Sequence, residues 1–361
     1  MSLEKLTLTE TNNLPIRHDS PVHNGKVRSV YWLPQEDSSR LILKEKYDAD
    51  VESQVGVMVI SDRISAFECI WKGESGLQGV PYKGAALNAI SKYWFDQLRK
   101  ERIADHHILA VPHPLVWIVE RAEPVMIEAI ARQYITGSMW RAYEKGEREF
   151  CGRHLPEGLQ QHQRLAEMIF TPTTKGIMKG IEGVPEEEDV NISERQITQN
   201  YRAFGFKRPE DFYLCEAMVR KAFTLISQQA AQHDQIFVDT KFEVGYSGIE
   251  LMFIDEVGTP DSSRMWDAAA YNQGNVVEHS KEGFRQFLLN TYDRDILLNK
   301  KRMTERRALA EQMRVPIQAM TDVSRIYMDL AEKLTGKKLP SMMRVRDEII
   351  EALKPLGVIE Q

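Results

Sequence analysis

Asp239, Lys241 and Glu243 stand two residues apart, just after the apolar run at 236–238. That lead-in reads as a β-strand. At this spacing the three charged side chains share one strand face, and Thr240, Phe242 and Val244 take the other. Tyr246-Ser247-Gly248 supplies a turn, and residues 249–257 read as the returning strand of a hairpin. A register that opposes Lys241 to Asp255 would add a third carboxylate to the same face. Carboxylates held this close together are tolerated when a cation stands among them. Mg²⁺ suits such a site, because it takes one or two carboxylates and completes its shell with water and substrate phosphates. The loop at 259–264 follows, with Asp261, Ser262, Ser263 and Arg264. Its guanidinium is a fork for phosphate or carboxylate. The chemistry implied is the handling of anionic substrates around a divalent cation.

Other stretches offer complementary groups. Gly25-Lys26-Val27-Arg28 reads as a turn whose backbone and cations could lie over phosphates. The strand at 55–60 delivers the polar segment 61–68, the place where α/β proteins often bind ligands. Arg132 to Ser138 runs from a strand into a helix-like stretch, and its arginine with Gly137-Ser138 forms a plausible anion clamp. Thr171 to Lys175 is a hydroxyl-rich turn ending in a lysine. Glu128 is expected near a nucleotide base, from its placement between two lobes. His106 and His107 cannot face one ligand from a regular element and read as surface residues. Helices are expected over 212–232, with Asp211 as its cap and Cys215 buried, and over 284–298 and 317–334, the last stopped by Gly336.

The chain has 361 residues, which points to two lobes, drawn here as 1–122 and 123–361. Charged residues make up 28% of the chain and the formal net charge is −6. No basic stripe suggests nucleic acid as a partner. The three cysteines lie far apart and match neither a metal site nor a disulfide framework, and no apolar run is long enough to span a membrane. A reducing, cytoplasmic setting is the default. Self-association into a homo-oligomer is left open.

Taken together, Gly25–Arg28 with Tyr31, the segment 61–67, Lys83-Gly84 with Leu87-Asn88, Arg132 to Ser138, Thr171 to Lys175, Asp239 to Gly245 and Asp255 to Trp266 resemble the SAICAR synthetase family, ATP-dependent ligases of purine biosynthesis. The resemblance runs from about residue 20 to 338. It implies an α+β fold with a β-rich N-terminal lobe and a larger C-terminal lobe, related to ATP-grasp, with ATP in the cleft. It also implies a reaction: ATP activates the carboxylate of 5-amino-1-(5-phosphoribosyl)imidazole-4-carboxylate as an acyl phosphate, and L-aspartate displaces the phosphate. By this resemblance Gly25, Lys26, Arg28 and Lys175 serve ATP, and Glu243 and Asp255 hold Mg²⁺. Asp239 and Lys241 act at the reacting carboxylate. Arg132, Ser138, Asp261, Ser263, Arg264 and Arg285 bind the phosphoribosyl substrate. The chain departs from the family pattern at Glu68, Glu188 and Gly258. A small-molecule kinase on the same scaffold and a silent nucleotide sensor are the competing readings.

Overall fold

The computed structural model describes residues 7–360, which divide into two compact units. Among the described residues the first comprises those through Tyr93, His107–Arg121 and those from Glu278 onward. Its five-stranded antiparallel sheet runs in the order His23–Asn24, Arg28–Trp32, Val55–Ile60, Val116–Glu120, Ile108–His113. Val55–Ile60 is buried along its whole length, as a near-continuous apolar run in the middle of a sheet must be. The C-terminal segment belongs to this unit, not to residues 123–277 as a single division near 122 would have it. Its backbone is bonded to the N-terminal part of the chain: Arg17 N donates to Val358 O (2.9 Å), Glu360 N to Pro15 O (2.9 Å) and Val315 N to Lys72 O (2.9 Å).

Asp62, in the polar segment after the strand, is fully buried and occupied with the backbone. Its Oδ2 accepts from Leu8 N (2.8 Å) and its Oδ1 from Gly84 N (2.9 Å), at the start of helix Lys83–Lys100. Burial lifts its carboxyl to about 6 against those two hydrogen bonds and the Lys83 ammonium. This motif residue therefore ties two backbone segments together. The helix expected over 284–298 is two helices, Lys281–Thr291 and Arg294–Leu298. Tyr292 is extended, and Asp293 caps the second helix by accepting from Asp295 N (2.8 Å) and Ile296 N (3.2 Å). Helix Ile317–Thr335 ends as expected at Gly336, whose φ is +68°.

The second unit, Trp94–His106 and Ala122–Val277, carries the candidate chemistry. Its eight-stranded sheet is built on the 13-residue strand Gln235–Ser247. Ile127–Tyr134 pairs with one stretch of it, and Glu250–Ile254, Ser263–Asp267 and Glu123–Pro124 pair with others. Arg164–Phe170 and Thr173–Thr174 line up on Ile127–Tyr134. Helix Asp211–Ala231 covers one face, with Phe223 against Phe237 (ring centroids 5.1 Å apart) and Phe212 against Phe170 (6.0 Å). Cys215 is fully buried in that helix, and burial pushes its thiol up to about 12.

Two local expectations change. His106 and His107 are both buried. His106 ends a short strand and His107 lies at a bend, and each ring is packed: His106 meets Phe95 (5.0 Å between ring centroids) and His107 meets Trp117 (6.1 Å). The hairpin turn falls at Gly248-Ile249, between Ser247 and Glu250, and its returning strand stops at Ile254. Glu243 therefore faces Ile254, one residue out of step with a Lys241–Asp255 pairing. Asp255 leaves the strand with φ +63°.

Candidate active site

The site grows from two neighbouring strands. Ile130 opposes Lys241 and Arg132 opposes Asp239. Directly opposed residues of an antiparallel pair share a face, so Glu128, Ile130 and Arg132 lie on the same side as Asp239, Lys241 and Glu243. The third strand, Ser263–Asp267, joins through a bulge. Phe237 opposes Met265, but Asp239 opposes Arg264, leaving Val238 as the extra residue. A bulge of this kind re-aims side chains. Here it places Arg264 on the face of Asp239 and turns Ser263 to the other side, where the Ser263 hydroxyl meets that of Thr240 (2.8 Å) among buried residues.

Two ion-pair clusters result. At one end, Asp239 Oδ2 accepts from Arg264 Nη1 (2.6 Å) and Arg132 Nη1 (3.0 Å), and Arg132 Nε donates to Thr171 Oγ1 (3.0 Å). Burial lowers the Arg132 guanidinium from its usual range, and Asp239 opposes that shift. Arg264 lies against the turn into helix Gly137–Glu144, whose first residues include the exposed Ser138. At the other end, Lys241 Nζ donates to Glu128 Oε1 (2.7 Å) and Glu243 Oε1 (3.1 Å), and Lys175 pairs with Glu243 Oε2. Burial works against the Lys241 charge, but Glu243, Glu128 and Asp255 outweigh it and hold the ammonium above the usual lysine range. Burial likewise opposes the Glu243 charge, and Lys241 and Lys175 together hold its carboxyl well below the usual carboxylate range.

The positions expected from sequence are thus distributed as follows. Arg132, Lys175, Asp239, Lys241, Glu243 and Arg264 converge on one sheet face, and Asp255 is close enough to act on the Lys241 charge. Asp261 sits in the turn closed by Ser263 N donating to Thr259 O (2.9 Å). Gly25, Lys26 and Arg28 belong to the first unit, in a tight hairpin turn where Gly25 N donates to Arg28 O (2.7 Å) and Lys26 is exposed. Arg285 is in that unit too, paired with Glu282 (3.3 Å). Glu128, expected near a base, is a partner of Lys241. Its spacing of four from Arg132 on one strand would have shown that the two share a face.

Gly137 has φ +59°, and a Cβ there would come within 2.5 Å of Arg264 Nη2 and 2.8 Å of its Cζ. Gly137→Ala should therefore displace the guanidinium and strain the turn, costing about 1–3 kcal/mol. Thermal unfolding of the variant measures that loss. A melting temperature equal to the parent's would show that the turn adapts freely.

Glu243 and Asp255 supply the hard oxygen donors that a divalent ion takes, and in this structure Lys241 and Lys175 engage the two Glu243 oxygens. Among the described residues no three His, Cys, Asp or Glu side chains are disposed to hold a metal. A divalent ion held by these two carboxylates would complete its shell with substrate oxygens and water.

The SAICAR synthetase family profile matches residues 21–296. Phosphoribosylaminoimidazole-succinocarboxamide synthase of Shewanella amazonensis is 57% identical over 360 residues, covering 98% of each chain. The Vibrio parahaemolyticus enzyme of the same name is 57% identical over 367 residues, covering 100% of each. The solved SAICAR synthase of Saccharomyces cerevisiae, complexed with SAICAR, aligns with a TM-score of 0.65 and 26% identity, covering 93% of this chain and 100% of that one. The chain belongs to the SAICAR synthetase family.

Proposed function

We propose that the face of Gln235–Ser247 is where this ligase activates the carboxylate of 5-amino-1-(5-phosphoribosyl)imidazole-4-carboxylate with ATP before L-aspartate is joined to it. The observation that carries the reading is the pair of adjoining clusters. Lys241 lies between Glu128 and Glu243, and Arg132 and Arg264 converge on Asp239 next to it along the same strand. A carboxylate oxygen attacks the γ-phosphorus and ADP leaves. The aspartate amine then attacks the acyl carbon and phosphate leaves.

Phosphoryl transfer asks a protein for alignment and charge neutralisation rather than for a nucleophile. Glu243 and Asp255 would hold Mg²⁺, which neutralises phosphoryl oxygens when bound. Lys175 pairs with Glu243 and is free to turn to a phosphate once that carboxylate serves the metal. Lys26 and Arg28 supply further cations for ATP, with Gly25 shaping their turn. Lys241 offsets the charge of the reacting carboxylate, and Asp239 orients Arg132 and Arg264 toward the phosphoribosyl substrate. Ser138 presents its hydroxyl and backbone at a helix N-terminus, a favourable place for phosphate; Asp261 is assigned to the same substrate, as is Arg285 of the first unit. Ser263 acts through the Thr240 contact, by holding the strand that carries Arg264. The setting is cytoplasmic, in keeping with three free thiols. No helix among the described residues is long and apolar enough to cross a membrane.

The test is ADP release with MgATP and the imidazole carboxylate, with and without L-aspartate. Release that requires aspartate, with the succinocarboxamide appearing in step, is expected. Equal release without aspartate would replace the ligase reading with a kinase-type activity.

A further inference from the structure

We propose that Glu128 is a positioning residue for Lys241, the group that keeps this ammonium in place when Glu243 turns to a metal ion. The inference rests on the assignment of Lys241 and Glu243 above. An ammonium has three donors and no directional fork of its own, so its position is set by its partners. Two partners hold Lys241 here, Glu128 Oε1 at 2.7 Å and Glu243 Oε1 at 3.1 Å. Glu243 cannot give the same oxygens fully to both Lys241 and a divalent cation. Glu128 is not in that position. Its second oxygen accepts from the Thr173 hydroxyl (3.3 Å), and Thr173 is buried on the short strand that pairs with Glu128 itself.

The carboxylate is therefore fixed by a protein group on one side and left to Lys241 on the other. Glu128 is also well covered, with 17% of its side chain exposed against 33% for Lys241, so the contact is only partly screened by water. A misplacement of a reacting group by about 1 Å can cost about 100-fold in rate. That is the scale expected if this anchor is lost.

The experiment compares Glu128→Gln, Glu128→Asp, Thr173→Val and Lys241→Met in the full-length chain. It measures kcat, KM for each substrate, MgADP affinity by calorimetry and thermal stability. Glu128→Gln keeps the shape but removes the charge, and should lower kcat by about 100-fold while KM and the MgADP dissociation constant stay within about twofold. Glu128→Asp restores the charge at a shorter reach and should recover part of kcat. Thr173→Val should lower kcat by a smaller factor in the same pattern.

If Lys241→Met is inactive but Glu128→Gln and Thr173→Val both turn over like the parent, the positioning role is wrong while the assignment of Lys241 stands. If Lys241→Met itself keeps the parental kcat, the assignment of Lys241 falls and this inference with it. A tenfold or greater loss of MgADP affinity in Glu128→Gln would make Glu128 a metal ligand, and would overturn the proposal. Should Glu128→Gln not fold, Thr173→Val and Glu128→Asp carry the comparison.

Discussion

Glu243→Gln should lower turnover by at least about 1,000-fold, equivalent to about 4 kcal/mol of transition-state stabilisation. The side chain keeps its size and one carbonyl acceptor, so the loss is of charge rather than of volume. Glu243 accepts from both Lys241 and Lys175, and the amide can no longer balance two ammonium groups or bind a divalent cation strongly. Folding should survive. Lys175 and Lys241 are each about one-third exposed, so water relieves part of the unbalanced charge. The cost in stability should be about 1–2 kcal/mol, below that of a fully buried broken pair. The check is steady-state kinetics beside thermal unfolding of the same preparation. A variant that unfolds cooperatively and still turns over within tenfold of the parent would remove Glu243 from the reaction.

Arg264→Ala should act on binding. Its guanidinium is largely buried, donates to Asp239 at 2.6 Å and packs against Gly137 at the helix entrance. Hydrogen bonds to charged groups contribute about 1.5–3 kcal/mol, so KM for the phosphoribosyl substrate should rise by about 10- to 100-fold. KM for ATP should change little. Asp239 keeps Arg132 at 3.0 Å, which limits the loss of stability. Titrating the imidazole carboxylate at saturating MgATP and aspartate measures the effect. An unchanged KM for that substrate would exclude Arg264 from its pocket. The same titration on Gly137→Ala should move in the same direction, because the new methyl group presses on the same guanidinium.

Much of this site was legible in the chain. The two-residue spacing of Asp239, Lys241 and Glu243 requires one shared face if the segment is a strand, and the apolar run before it makes it one. The burial of Cys215 and the stop at Gly336 follow from the same local rules. Where the reading failed, the cause was pairing. Adjacent histidines look like surface residues only if one side of their segment is wet, and here both rings are packed. A register that opposes Lys241 to Asp255 was one of several that the hairpin allowed. Glu243 pairs with Ile254, so the register that forms differs from it by one residue. A shift of one exchanges the faces of a whole strand.

The sequence by itself determined which residue types are available and which of them share a face on a single strand, because strand alternation is a property of the local backbone. Only the tertiary structure decided which strands lie side by side. It brought Glu128 to Lys241 across 113 positions and Arg132 to Asp239 across 107. It also placed a bulge at Val238 that turns Arg264 toward the site and Ser263 away from it. Strand partners and bulges depend on the packing of distant segments, and no local pattern of side chains encodes them.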